Sequence, residues 1–265
     1  MRLPSDDAEI VYEVEGGGPP VILLHPFPTN REFWRQVAEM LAARYRLILP
    51  DLRGHGDSHP GEGPALMEKH AADLARLCQA ADVRHAVFIG VSIGGYILFE
   101  FWRTYRERVA GLVLCDTRAT ADTPEARAAR LKSAEDVMKE GAAPFVENML
   151  PKLLGESTRR NRPDLVARGR AMMMRMTPAG INAVQRGMAA RPDSVPTLKT
   201  IDVPTLILVG EEDTLTSSAE AELMRREIPR SQLDVVPYAG HFAPFEQPEA
   251  VGRMVRSFLD AQSWS

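Results

Sequence analysis

Three residues with the chemistry for acyl transfer stand at the ends of three apolar runs. The run Ala86-Val87-Phe88-Ile89 leads into Gly90-Val91-Ser92-Ile93-Gly94-Gly95, and a helical pattern follows. A serine hydroxyl is a poor nucleophile unless it is held exposed beside a base, and a sharp strand-to-helix turn of the G-x-S-x-G kind provides the exposure. The run Pro204–Val209 ends in Gly210-Glu211-Glu212-Asp213, and Leu233–Pro237 leads to Tyr238-Ala239-Gly240-His241. In such a set His241 takes the Ser92 proton as the oxygen attacks a carbonyl, while Asp213 orients the imidazole and stabilises the imidazolium. Taken singly, the serine reads as a turn former, the acid as a cap and the histidine as a solvated loop residue. Their joint order, serine then acid then histidine, each closing an apolar run, argues for a catalytic triad. Asp116, after Gly111-Leu112-Val113-Leu114-Cys115, is a competing acid. The Gly-x-x-Asp setting and the chain order favour Asp213, which leaves Asp116 to cap the segment that follows.

Acyl transfer also needs two backbone N–H groups aimed at the developing alkoxide. Ile93, directly after the nucleophile, supplies one. The apolar run Pro20–Leu24 ends in His25-Pro26-Phe27-Pro28. Proline has no N–H, so Phe27 is the donor inside that turn. His25 comes too early in the chain order to be the base and is expected to brace the loop.

The elements that must position these residues follow from periodicity. Short apolar strands alternate with amphipathic helices, the pattern of a parallel sheet covered on both faces. Thr29 and Glu32 form a capping-box pattern ahead of a helix with Phe33, Val37, Met40 and Leu41 on one stripe. Leu66, His70, Leu74, Leu77 and Cys78 form the stripe of the next helix. Ser217 and Glu220 repeat the capping pattern, and a last helix starts near Pro248 with Val251, Met254, Val255, Phe258 and Leu259 at 3-and-4 spacing. Alternation over Glu9–Val14 predicts an antiparallel edge hairpin with the segment before it.

Between Asp116 and about Pro196 the alternation breaks. Helical stretches there are punctuated by Pro124, Gly141, Pro144, Pro151, Pro163, Pro178 and Pro192, and roughly eighty residues is far more than a simple crossover needs. The run Met172, Met173, Met174 and Met176 either lines an acyl pocket with flexible apolar groups or packs as core.

On these residues the chain resembles an α/β-hydrolase of the carboxylesterase and 3-oxoadipate enol-lactonase branch, over nearly its whole length. The matching pieces are His25-Pro26-Phe27-Pro28, Asp51-Leu52-Arg53-Gly54-His55-Gly56-Asp57-Ser58, Gly90–Gly95, Gly210–Asp213 and Gly240-His241-Phe242-Ala243-Pro244-Phe245-Glu246-Gln247-Pro248. The order of Ser92, Asp213 and His241 is the family's own. One departure stands at Pro26, where the family usually has glycine. The resemblance implies an eight-stranded, mostly parallel sheet flanked by helices, with a helical cap inserted after strand 6. Residues 1–116 and 197–265 would form the core domain and 117–196 the cap. It further implies that Asp51–Ser58 is mostly scaffold. In relatives whose first loop reads His-Gly-x-Pro the bond before the proline is often cis, but cis X–Pro bonds are uncommon overall, and the isomer of Phe27–Pro28 stays open. The residues expected against the substrate are Phe27, Met172, Met173 and Phe242.

Composition agrees with a soluble globular protein: 265 residues, 45% hydrophobic and 26% charged. A net charge of −4 with mixed signs gives no footprint for nucleic acid or an anionic membrane, and no apolar run approaches the length of a membrane span. The stretch Met1–Asp7 lacks the apolar core of a signal peptide, so a cytoplasmic location is expected. Neither Cys78 nor Cys115 has Cys or His at metal-ligand spacing. Both read as small buried residues, and no metal or cofactor is expected.

The expected function is a serine carboxylesterase acting through an acyl-enzyme on small, fairly apolar esters. A roofed apolar pocket would favour acyl chains of roughly two to six carbons. An enol-lactonase would use the same triad on a cyclic ester bearing a carboxylate, as would carbon–carbon hydrolases and perhydrolases on their substrates. Haloalkane dehalogenases and epoxide hydrolases are disfavoured, because their pattern needs an Asp where Ser92 stands. For a substrate carboxylate the insertion offers Arg127, Arg130, Arg168, Arg170 and Arg175, each otherwise a solvated helix face. A reading of another class is a small-molecule receptor on the same fold that binds without turnover.

Overall fold

Strands buried on both faces read as continuous apolar runs, and the computed structural model, which describes residues 1–262, builds its sheet from them. The strands are β1 (Arg2–Ser5), β2 (Ala8–Glu15), β3 (Pro20–Leu24), β4 (Arg46–Pro50), β5 (Ala86–Val91), β6 (Val109–Cys115), β7 (Thr205–Gly210) and β8 (Ser231–Val236). They form one eight-stranded sheet in the order β1-β2-β4-β3-β5-β6-β7-β8. The β1–β2 and β2–β4 pairs are antiparallel and every other pair is parallel. The N-terminal hairpin is therefore an edge feature, as the alternation over Glu9–Val14 indicated. The centre of the sheet, β3, β5 and β6, carries the loop with Phe27, the turn with Ser92 and the loop with Asp116.

Helices Arg35–Leu41, Met67–Ala80, Ile93–Tyr105, Ser218–Glu227 and Pro248–Asp260 flank the sheet. Helix Ile93–Tyr105 is buried along most of its length. Its Phe101 meets Phe88 of β5 with ring centroids 4.9 Å apart. Each such fully buried aromatic contributes about 1.5–3 kcal/mol, so the helix behind the Ser92 turn is firmly seated. Between β6 and β7 lie six helices: Pro124–Glu140, Ala142–Leu153, Glu156–Asn161, Pro163–Met173, Pro178–Ala189 and Val195–Leu198. Several of the prolines that punctuate this segment start helices instead of breaking them. Pro124 and Pro178 follow the N-caps Thr123 and Thr177, whose hydroxyls accept the N–H of Ala126 and Gly180, and proline suits the first helical position. Among the described residues no helix is long and apolar enough to cross a membrane.

Both capping boxes differ from expectation. The Thr29 hydroxyl donates to the Pro26 carbonyl at 2.7 Å, which leaves Asn30 to cap the 3-10 turn Arg31–Trp34 by accepting the Glu32 N–H at 3.0 Å. Ser217 stands at the N-cap but its side chain makes no capping bond. Glu220 instead accepts the Thr120 hydroxyl at 2.7 Å. At Thr29 another local acceptor, three residues back, outcompetes the cap, and at Glu220 a tertiary partner does.

Candidate active site

Ser92 sits between β5 and helix Ile93–Tyr105 with φ +53° and ψ −111°. A non-glycine residue in this region costs on the order of 1–3 kcal/mol and persists only where the surroundings hold it. Here they do. The Ser92 N–H donates to the Cys115 carbonyl at 3.0 Å, and the Thr117 hydroxyl donates to the Ser92 carbonyl at 2.7 Å. Two glycines make the turn possible. A Cβ at Gly90 would run into the Gly94 backbone, and one at Gly94 would press on the Leu24 carbonyl oxygen at 2.9 Å.

His241 lies on the loop after β8, with Nδ1 2.9 Å from Asp213 Oδ2. Asp213 Oδ1 accepts the N–H groups of Leu215 and Thr216 at 2.8 and 3.1 Å, and the Thr216 hydroxyl donates to Oδ2, the oxygen that meets His241. Burial would raise the Asp213 carboxyl, but His241 and the Thr216 donors outweigh it and hold the group below its ordinary value. An ionised Asp213 accepts from Nδ1–H, which leaves Nε2 as the basic nitrogen of His241.

Asp116 is different. Burial and the nearby Asp213 charge push its carboxyl well above the usual range. Its Oδ1 accepts the Gly210 N–H at 2.7 Å, while Oδ2 is buried without a partner. It therefore ties β6 to β7. It does not cap the following helix, which begins at Pro124 with Thr123 as its cap.

Ser92 and His241 line one cavity of about 310 Å³, together with Phe27, Tyr96, Leu215 and Thr216. Ile93 is the first residue of its helix, where a backbone N–H has no intrahelical acceptor. Phe27 N–H meets no protein acceptor among the described residues. The Phe27–Pro28 peptide bond is cis. His25 does brace this loop: its Nε2 accepts the Leu52 N–H at 2.9 Å and its Nδ1 lies 3.0 Å from the Pro26 carbonyl. Desolvation lowers its pKa to about 4, so it is neutral at pH 7. Asp51 holds the next loop by accepting the N–H groups of Arg31 and Asp57, each at 2.8 Å. Both cysteines are buried. Among the described residues no group of three or more His, Cys, Asp or Glu is gathered as for a metal ion.

The family described as alpha/beta hydrolase fold matches residues 19–248. The chain belongs to the α/β-hydrolase family. An esterase structure from the thermophile Thermogutta terrifontis, solved with malate bound, is 43% identical, covers 98% of both chains and superposes with a TM-score of 0.95. A Bacillus subtilis (strain 168) protein named for 2-succinyl-6-hydroxy-2,4-cyclohexadiene-1-carboxylate synthase activity is 31% identical over 94% of both chains. 3-Oxoadipate enol-lactonase 2 of Acinetobacter baylyi is 25% identical over 97% of this chain and 95% of its own.

Within this α/β-hydrolase the opposite side of the cavity is not the one expected. Met172 and Arg175 line a separate cleft with Arg168 and Phe245, Met173 is fully buried, and Phe242 is fully buried with its ring 5.3 Å from that of Phe33. None of these residues lines the cavity that holds Ser92. Met149 and Met188 supply the thioethers at the cavity, and Arg118, Arg130, Lys152 and Gln185 its polar wall. Arg127 and Arg170 are exposed, and Arg170 pairs with Glu147.

Sequence reading missed Thr216, Thr117, Arg118, Lys152 and Glu246. Thr216 was accessible from the Asp-x-x-Thr spacing of a side-chain-to-backbone turn. Glu246, fully buried, accepts the Gly240 N–H at 2.9 Å and the Gly155 N–H at 2.8 Å. The Phe242 N–H in turn donates to Leu153 at 3.2 Å. The His241 loop is thus tied directly to the end of helix Ala142–Leu153, which contributes to the cavity wall.

Proposed function

We propose that the protein is a Ser-His-Asp carboxylic ester hydrolase working through an acyl-enzyme on small esters or lactones. Ser92 Oγ attacks the carbonyl as His241 Nε2 takes its proton. The Phe27 and Ile93 N–H groups receive the oxyanion, and the protonated imidazole returns its proton to the leaving alcohol. Water, deprotonated by the same nitrogen, then releases the acid. Residues 117–196 act as the cap over a core of 1–116 and 197–265.

The observation that carries this reading is the 2.9 Å His241–Asp213 contact in the same cavity as a serine held at φ +53°. Such strain at a nucleophile exposes its hydroxyl and has no purpose in a passive binding site. Relatives named as an esterase and an enol-lactonase support the ester or lactone class. The test is Ser92→Ala, which fits the turn but cannot be acylated. Its kcat on p-nitrophenyl butyrate is expected to fall by at least about 10³-fold with the thermal transition retained. Retention of more than a few per cent of wild-type kcat would refute the assignment.

A further inference from the structure

Charges around the cavity are not balanced within the protein. The chain carries a net charge of −4, yet Arg118, Arg130 and Lys152 line the cavity beside Ser92 and no carboxylate does. Arg130 Nε lies 2.7 Å from Asp122 Oδ2, and Arg191 lies 2.8 Å from the same oxygen. One carboxylate therefore serves two arginines. Lys152 Nζ donates to Asn148 Oδ1 at 3.1 Å and, like Arg118, has no carboxylate within 4.0 Å among the described residues. The Arg118 Nε is buried and meets no acceptor. Desolvation works against its charge, whereas Tyr96, by charge and by a side-chain hydrogen bond, and then Asp122 and Glu220 through space favour it. Asp122 is committed to the two other arginines, and Glu220 gives Oε1 to the Thr120 hydroxyl while its Oε2 is buried without a hydrogen-bond partner.

Arg118 is also well placed. It directly follows Thr117, whose hydroxyl holds the Ser92 carbonyl, so its backbone is fixed relative to the nucleophile. The guanidinium is half-buried and meets Tyr96, but its Nε–H has lost hydration without regaining a hydrogen bond. Its planar fork matches a carboxylate, which it can take in two parallel bonds.

We propose that Arg118 determines specificity, and that the substrate is a small ester or lactone bearing a carboxylate that pairs with Arg118. Arg130 and Lys152, which line the same cavity, add attraction. The proposal rests on the hydrolase reading above and narrows it from neutral esters to anionic ones.

Monoethyl succinate and ethyl butyrate have acyl chains of equal length, one ending in carboxylate and the other in methyl. The readout is the ratio of their kcat/KM values, followed by ethanol release, because a ratio does not depend on the fraction of enzyme folded. Wild type is expected to favour the succinate ester by about tenfold or more, and Arg118→Gln to lower the ratio by at least about tenfold. Arg118→Lys should keep part of it. A wild-type ratio at or below one, or a ratio unchanged in Arg118→Gln, overturns the proposal while leaving the hydrolase reading intact. Failure to hydrolyse either ester would sink that reading instead. Calorimetry with succinate then decides the charge question. Binding to wild type at least about tenfold tighter than to Arg118→Gln supports the proposal, and equal or absent binding overturns it.

Discussion

On one side of the cavity Ser92, Phe27 and His241 stand on turns at the ends of strands, and backbone hydrogen bonds hold those turns from several directions. On the other side Arg130, Lys152, Gln185 and Met188 project from three helices between β6 and β7. Arg118 stands where the end of β6 passes into those helices. A turn fixes its residue through local geometry, whereas a helix residue reaches the cavity only if packing rotates its face that way. On the function proposed above, the first side does the chemistry and the second decides what enters. Substitutions on the turns should therefore change kcat by large factors, and substitutions on the helices should change preference.

The largest expected contrast lies between two acids at neighbouring strand ends. Asp213→Asn should lower kcat by about 10²- to 10⁴-fold, because an amide favours the wrong imidazole tautomer. Asp116→Asn should cost much less, since burial and the Asp213 charge push the Asp116 carboxyl well above the usual range and its oxygen serves the Gly210 N–H. Steady-state kinetics on one ester settles the ranking, and the reverse order would transfer the catalytic role to Asp116.

Acid separates the two sides by stability. His25 is neutral in the folded protein, its pKa lowered by desolvation from 6.5 to about 4. The unfolded chain binds that proton first as pH falls, so stability rises with pH across this window and is lost between about pH 6.5 and 4. The contribution is about 3 kcal/mol for His25. The raised carboxyls of Asp116 and Glu246 act in the opposite direction, so the test is a difference. Gln at position 25 can accept the Leu52 N–H without titrating. Urea unfolding of His25→Gln should show a shallower acid loss than wild type, whereas parallel curves would remove His25 from the account.

The smallest effect belongs to the helical wall. Each methylene buried there contributes about 0.8 kcal/mol until the wall is met. Across p-nitrophenyl esters, kcat/KM should rise over short acyl chains and fall beyond roughly six carbons. A profile still rising past about ten carbons would mean an open groove.

This division also explains what could be read from the chain. The strands, the Ser92 elbow, the order Ser92-Asp213-His241 and the prolines that start helices are local patterns, and each has a local physical cause. Thr29 and Ser217 look like caps locally, but Thr29 turns back to the Pro26 carbonyl and Glu220, the partner of Ser217 in the pattern, is drawn away to Thr120. Met172 and Met173 fail as pocket residues because composition says a helix is apolar, not which of its faces meets the cavity. Arg118 left no periodic signal at all. Its position follows from a hydrogen bond between Thr117 and Ser92, separated by most of a helix and a strand.

Acylation of Ser92 tests the central claim most directly. Wild-type protein mixed rapidly with excess p-nitrophenyl acetate should release p-nitrophenol in an initial burst approaching one equivalent per chain, and acid quenching should trap one acetyl group on the peptide containing Ser92. An acetyl group on Ser92, absent in Asp213→Asn on the same timescale, is the result predicted here. Wild-type turnover carried by an acetylated residue other than Ser92, or undiminished in Ser92→Ala, would contradict it.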